Sequence, residues 1–320
     1  MENMETGLKA MELDANNNQK GTAASLLAML RIGTNKPKKI VASVPTGKGK
    51  SRIIASLVSV ALLTRFADKI VVVFPSYILL KTDKDVLERV TTLCKSQGAS
   101  LVCVVGLRGM KYDKETLYIV DECDYEVLDQ TNYIPSSFNE MKGMLGLTAS
   151  SAANEMDKVE LTNKGWKVID PKIKNTVDPA HVETCSFEEF LTKHPDRAKL
   201  IFISNEEVNS YQEQAKQHGL DCIVNCSDLE IIRNLAQNHC LVVTEELLMR
   251  GVDYRSKQGI DLFIGRTAMN ERSYLQCLGR VARCTDVGDR FIKPGLLRFK
   301  KTWESITILS DQPNLKNNDK

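Results

Sequence analysis

Val44-Pro-Thr-Gly-Lys-Gly-Lys-Ser51 is the stretch that decides the fold. It follows an apolar, β-branched run at 40–44 and opens a helix-like run at 52–63. Strand, glycine-rich turn and helix N-terminus together form the setting of a phosphate-binding loop. The glycines let backbone amides wrap an anion and the helix dipole favours negative charge. Lys50 reaches the outer phosphates, and Ser51 offers a hydroxyl to a divalent cation. Pro45, Thr46, Gly47, Lys48, Gly49, Lys50 and Ser51 are therefore candidate phosphate-binding residues. Val44 stands where the G-x-x-x-x-G-K-[ST] pattern has its first glycine, so the match rests on the other positions and the setting.

A second segment, Leu117-Tyr-Ile-Val-Asp-Glu-Cys-Asp124, is an apolar run that ends in carboxylates. In an open parallel sheet, ligands bind beyond the carboxyl ends of the strands. Asp121 is thus a candidate to hold magnesium together with Ser51, and Glu122 to orient and polarise an attacking water. An acidic turn is ordinarily just solvated, but one that follows a phosphate loop reads differently. Farther on, Gln276, Arg280 and Arg283 are spaced so that a helix would set them on one face. Such a stripe usually faces solvent; opposite a phosphate site it would supply arginines to developing negative charge.

Outward from these segments the chain keeps one rhythm. Apolar runs at 40–44, 70–74, 101–105, 117–120 and 144–147 are separated by helix- or loop-length stretches, as in a parallel sheet covered on both faces. Runs at 200–203, 222–224, 241–243 and 262–264 repeat the pattern, with helix-like stretches at 206–218, 229–237 and 271–284. The fold class expected is α/β, with two P-loop domains in tandem, each built on a mainly parallel sheet. A length of 320 residues allows two such domains. We read 1–15 as a loose tail, 16–152 as the first domain, 153–310 as linker and second domain, and 311–320 as a loose tail.

Composition narrows the function classes. With 43 Lys and Arg against 41 Asp and Glu, the net charge of +2 exerts no global pull on polyanions, so any such site is local. The nine cysteines form no C-x-x-C pair and read as reduced thiols. His218, Cys222 and Cys226 recur every four residues, but the stretch 221–226 has a strand's pattern, which does not gather ligands on one face. The acidic N-terminus leads into no apolar core, and the longest apolar stretch, 53–63, is too short to span a bilayer. A soluble, intracellular protein (cytoplasm or nucleus) with no membrane partner is expected.

On these residues the chain resembles the superfamily 2 helicases, the DExD/H-box group of nucleic-acid-dependent ATPases, in order from Gln19 to Arg283. Val44 to Ser51 resembles motif I and Asp121-Glu-Cys-Asp124 motif II. Phe74-Pro-Ser76 is similar to motif Ia, Gly146-Leu-Thr-Ala-Ser150 to motif III, and Ile201-Phe-Ile-Ser204 to motif IV. Thr244 to Asp253 resembles motif V, and Gln276-Cys-Leu-Gly-Arg-Val-Ala-Arg283 motif VI. The signal lies in motifs I, II, V and VI taken together; the shorter ones occur widely by chance.

The resemblance implies two RecA-like domains with ATP and Mg2+ bound between them. It assigns Lys50, Asp121, Glu122, Gln276, Arg280 and Arg283 to catalysis, and Gln19, Gly251 and Asp253 to the nucleotide alongside the loop. It implies a sequence-nonspecific RNA or DNA partner touched on its backbone by Pro75, Ser76, Arg108 and Thr244, with Thr148 and Ser150 coupling hydrolysis to strand movement. No aromatic and basic interleaving suggests base stacking. Two RecA-like folds would take up nearly all of the 320 residues and leave only short tails, so whatever chooses the target is expected to be a protein partner or a larger assembly, or to be absent. A clamp that hydrolyses ATP without unwinding, and a phosphate-loop ATPase or kinase without nucleic acid, stay open at this stage.

Overall fold

The computed structural model describes residues 2–13, 15–31, 39–44, 49–130, 134, 141–149, 155–169, 182–266, 269, 271–281, 288–293, 298–301 and 306–309. The chain divides into two compact units, Met1–Asn175 and Thr176–Lys320. That division falls later than the 152/153 boundary the sequence suggests.

The first unit runs α1 (Glu2–Ala10), α2 (Asn17–Arg31), β1 (Lys39–Ser43), α3 (Lys50–Leu63), β2 (Lys69–Phe74), α4 (Tyr77–Thr82), α5 (Lys84–Ser96), β3 (Ser100–Val105), β4 (Thr116–Val120), β5 (Gly143–Thr148), α6 (Glu155–Asn163) and β6 (Trp166–Ile169). The strands form one parallel sheet in the order β3-β2-β4-β5-β1-β6. β1, β4 and β5 are buried throughout, which is why their sequences are unbroken apolar runs.

Two segments depart from the sequence reading. Residues 2–13 are not a loose tail: α1 packs on α3, with Gly7 close against Ser59 and Leu63, while Leu8, Met11 and Ala15 are buried and Arg89 donates to the carbonyls of Met11 and Glu12. Trp166, read as an isolated apolar residue in a linker, starts β6 and is buried where that strand pairs with β1. The tail expected at 311–320 lies outside the described residues.

Close approach of β5 to the turn after β4 demands glycine at 146. A Cβ there would lie 2.5 Å from Cys123 Sγ and 3.1 Å from Val41 Cγ2, and both neighbours are fully buried. We expect Gly146→Ala to cost about 1–3 kcal/mol, the usual range for overpacking a filled core. Urea unfolding of the full chain checks this, and an unshifted midpoint would count against the packing.

The second unit runs β7 (Glu183–Thr184), α7 (Phe187–Thr192), β8 (Ala198–Phe202), α8 (Val208–Gln217), β9 (Asp221–Val224), α9 (Leu229–Arg233), β10 (His239–Val243), α10 (Glu246–Gly251), β11 (Ile260–Ile264), α11 (Glu271–Leu278), β12 (Arg290–Ile292), and an antiparallel ribbon of β13 (Arg298–Lys301) and β14 (Ile306–Leu309). Its parallel sheet has the order β7-β12-β11-β8-β10-β9. Ser186 and Glu189 cap α7 reciprocally, which fixes Phe187 and Phe190 against Tyr211, Phe263 and Phe291.

The basic stretch that starts at 290 begins with a buried residue. Arg290 donates Nε to the Leu278 carbonyl at 2.8 Å and NH2 to that of Val281 at 3.0 Å, closing the end of α11. At the same amino-terminal end of this sheet, Asp261 is fully buried and accepts from Lys199 at 3.0 Å, from Arg197 at 3.0 Å and from the Asp289 amide at 3.1 Å. Among the described residues His194, Asp261 and Asp289 are the only His, Cys, Asp or Glu grouping close enough to hold an ion. Arg197 and Lys199 already neutralise it, so we assign it no metal. No described helix is long and apolar enough to cross a membrane.

Candidate functional site

Carboxyl ends of β1, β2, β4 and β5 converge on one rim of the first sheet. At the end of β1, Val44 donates its amide to the Thr148 carbonyl at the end of β5, 2.7 Å away. Pro45, Thr46, Gly47 and Lys48 lie outside the described residues. The chain re-emerges at Gly49, the N-cap of α3, with φ 77°, a left-handed conformation that glycine adopts without steric cost. A side chain at 49 would collide with the amide of Gln19, which packs over this residue. Gln19 is held there by a capping pair at the start of α2: its Oε1 accepts from the Asn16 amide at 2.9 Å, and its own amide donates to Asn16 Oδ1 at 3.0 Å. The sequence-predicted Gln19, Gly49, Lys50 and Ser51 thus meet at one helix end.

Across the rim, the Asp121 amide donates to the Val73 carbonyl at 2.9 Å, extending the β4 pairing by one residue. The backbone then turns sharply at Glu122, a non-glycine residue at φ 45°. Non-glycine residues held in that region cluster at functional sites. Lys50 Nζ donates to Glu122 Oε1 and lies 3.4 Å from Asp121 Oδ1. Ser51 Oγ donates to Asp83 Oδ1 at 2.7 Å, bringing in a carboxylate from the junction of α4 and α5. Behind them, Thr148 Oγ1 donates to Asp124 Oδ1 at 2.7 Å, both residues fully buried.

Charge in this pocket is unbalanced. Burial pushes the Asp121 carboxyl up; Lys50 pulls it down, Asp83 adds to the rise, and the outcome is a raised pKa. Burial works to lower the Lys50 ammonium, but Asp121 and Glu122 outweigh it and hold it above its usual range. The Lys50 direction reflects the carboxylates around it; the Asp121 direction reflects burial first and the Asp83 charge after it. Asp121 Oδ1 is buried and takes no hydrogen bond, the Lys50 ammonium being an ion-pair contact only. A hard divalent cation takes oxygen ligands, and Ser51 and Asp121 supply them here, so the residues fit Mg2+.

In the second unit, the predicted motif residues are bound into their own fold. α11 ends at Leu278, so Arg280 sits just beyond the helix rather than on its face. It is buried and donates Nε to the Gln276 carbonyl at 3.0 Å and NH1 to the Val252 carbonyl at 3.1 Å. Gln276 is buried too, while Asp253, two residues after Gly251 at the end of α10, accepts from Arg255 Nε at 2.8 Å. Arg283 and Ser150 lie outside the described residues.

Residues expected to touch a nucleic-acid backbone divide in two. Ser76 caps α4, accepting from the Leu79 amide at 3.3 Å, beside buried Pro75. Arg108 is exposed on a tight turn pinned by Glu126, whose Oε2 accepts from the Leu107 amide. Thr244 is different: its amide donates to Asn225 Oδ1 at 2.8 Å, so the predicted backbone donor is spent inside the unit. The sequence reading missed Asp83, which no motif marks, and Tyr77, which is 62% exposed with Lys81 Nζ 4.8 Å from its ring centroid.

No protein-family model and no curated protein matches the chain. Solved structures do match its fold. The DEAD-box helicase Mss116 bound to ssRNA and UDP-BeF aligns with TM-score 0.58 and 12% identity over 91% of this chain and 72% of that one. RecG bound to a three-way DNA junction aligns with TM-score 0.58 and 13% identity over 90% of this chain but only 44% of its own. A variant of S. cerevisiae Dbp5 bound to Gle1 and ip6 aligns with TM-score 0.54 and 13% identity over 92% and 86%. The fold is therefore shared with these helicase structures: two RecA-like α/β units, each built on a six-stranded parallel sheet.

Proposed function

We propose that this chain is an ATP-dependent helicase or translocase acting on RNA or DNA. The observation that carries the reading is Lys50 drawn between Asp121 and Glu122 at the strand ends, with Asp121 Oδ1 buried and taking no hydrogen bond. With ATP bound, Lys50 would leave its carboxylate partners for the β and γ phosphates, and Ser51 and Asp121 would hold Mg2+. Magnesium, when bound, neutralises charge on the phosphate oxygens. Glu122, released from Lys50, orients the attacking water and takes its proton. Gln19 and the loop 45–49 would hold the nucleotide; Gln276, Gly251, Asp253 and Arg283 keep the nucleotide roles their motifs imply, while Arg280, bound to the Gln276 and Val252 carbonyls, shapes its own unit.

The Thr148–Asp124 bond and the Val44–Thr148 bond support a coupling role for Thr148, since one residue touches both the acidic turn and the start of the phosphate loop. Ser76, beside Pro75, and exposed Arg108 are the backbone contacts we retain; Thr244 shapes its loop through Asn225 instead. Such contacts weaken with salt.

The test compares ATP hydrolysis by the full chain and by Lys50→Ala, each with and without single-stranded RNA and DNA homopolymers. Hydrolysis well above the variant's, stimulated by homopolymer and less so as salt rises, is expected. Equal rates from the two proteins end the proposal. Displacement of a tailed duplex then separates unwinding from clamping.

A further inference from the structure

Metal coordination by a serine hydroxyl imposes a condition on its proton. The oxygen must turn its lone pairs to the cation, so the hydrogen has to point away from it and needs an acceptor of its own. Ser51 Oγ already donates to Asp83 Oδ1 at 2.7 Å. Asp83 closes α4 and stands at the N-cap of α5, a position where an aspartate ordinarily accepts from the helix's first amides. It makes no such capping bond; the carboxylate is turned to Ser51 instead. Asp121 Oδ1, buried and without a hydrogen bond, lies 3.4 Å from the Nζ of Lys50, the residue next to Ser51.

We propose that Asp83 is a positioning residue for the divalent cation: by accepting the Ser51 proton it fixes that hydroxyl with its lone pairs toward the metal, and its charge adds to the pull on the cation. The inference rests on the nucleotide reading above and adds a residue from outside the phosphate loop and the acidic turn. Partners that orient a metal ligand commonly change metal affinity by about 10–100-fold when removed. A role confined to the helix junction would disturb the pocket whether or not metal is present.

The experiment follows binding of N-methylanthraniloyl-ADP to the full chain by fluorescence, first in EDTA and then across a MgCl2 titration. Asp83→Asn is expected to raise the Mg2+ concentration at half-saturation about tenfold. Affinity in EDTA should stay the same or tighten, because one negative charge has left the pocket. Asp83→Ser, which can still cap α5, should behave alike and guards against a folding defect in one variant. Ser51→Ala combined with Asp83→Asn should cost clearly less than the sum of the two single substitutions, because part of the Asp83 effect passes through the Ser51 hydroxyl. An unshifted Mg2+ midpoint, equal losses with and without metal, or additive effects of the two substitutions would overturn the assignment while leaving nucleotide binding intact. Failure of the unaltered chain to bind the nucleotide at all would remove the function reading as well.

Discussion

Replacing Glu122 by Gln is expected to slow ATP hydrolysis by about 10²–10⁴-fold, the range for losing a positioned general base, while nucleotide still binds. The substitution keeps the size of the side chain and removes only its charge and proton affinity. Glu122 is 3% exposed and its ion pair with Lys50 is one of two that the lysine makes. Lys50 in the variant therefore still has Asp121 before nucleotide arrives and the phosphates afterwards. Single-turnover hydrolysis, measured beside nucleotide affinity, checks this. Turnover within a few-fold of the unaltered chain would take the base role away from Glu122, and a parallel collapse of binding would show that its pair with Lys50 is architectural.

The largest stability effect should come from the other unit. Asp261→Ala leaves Lys199, itself 1% exposed, with its charge buried and its carboxylate gone. Removing one partner of a buried pair costs about 3–5 kcal/mol. Hydrogen exchange in the full chain, read at 198–202 and 260–264, should show protection lost across β8 and β11 and little change at β1 or β4. The wild-type pH profile follows the same group. Burial acts to raise the Asp261 carboxyl, but Lys199 and Arg197 outweigh it and hold it below the usual carboxylate range. A depressed folded value means the contribution is complete above the unfolded value of about 3.9 and fades as pH falls through the folded one. Protection of β8 and β11 should thus be level above about pH 5 and decline in stronger acid, and Asp261→Asn should lack that decline. Unchanged exchange in Asp261→Ala would mean the charges are solvated after all.

What the sequence disclosed, and what it hid, follows from how each residue is buried. β1, β4 and β5 are covered on both faces, so they are written as unbroken apolar runs that single out the Lys50 and Asp121 rim. β6 is a half-covered edge strand with Lys167 inside it, which breaks the signal and leaves Trp166 looking solitary. β12 was masked by Arg290, whose guanidinium is buried because it meets two carbonyls, not because it is apolar. Among its described side chains α1 buries Leu8, with Met11 following, too sparse a pattern to separate from a polar tail. Asp83 had no local mark at all: its partner Ser51 is 32 residues away, and only folding brings the two together. Arg280 was visible by spacing, yet spacing could not tell that the helix stops at Leu278 and that the guanidinium turns back onto Val252.

That last arrangement bears on how the arginine segment could respond to a ligand. By bridging the Gln276 and Val252 carbonyls, Arg280 locks the segment after α11 to the segment after α10. An arginine side chain surrenders up to about 2 kcal/mol of rotamer entropy when it is fixed. Here that surrender happens when the unit folds, so a ligand meeting the two segments finds them already ordered and its binding free energy is not diminished by arranging them.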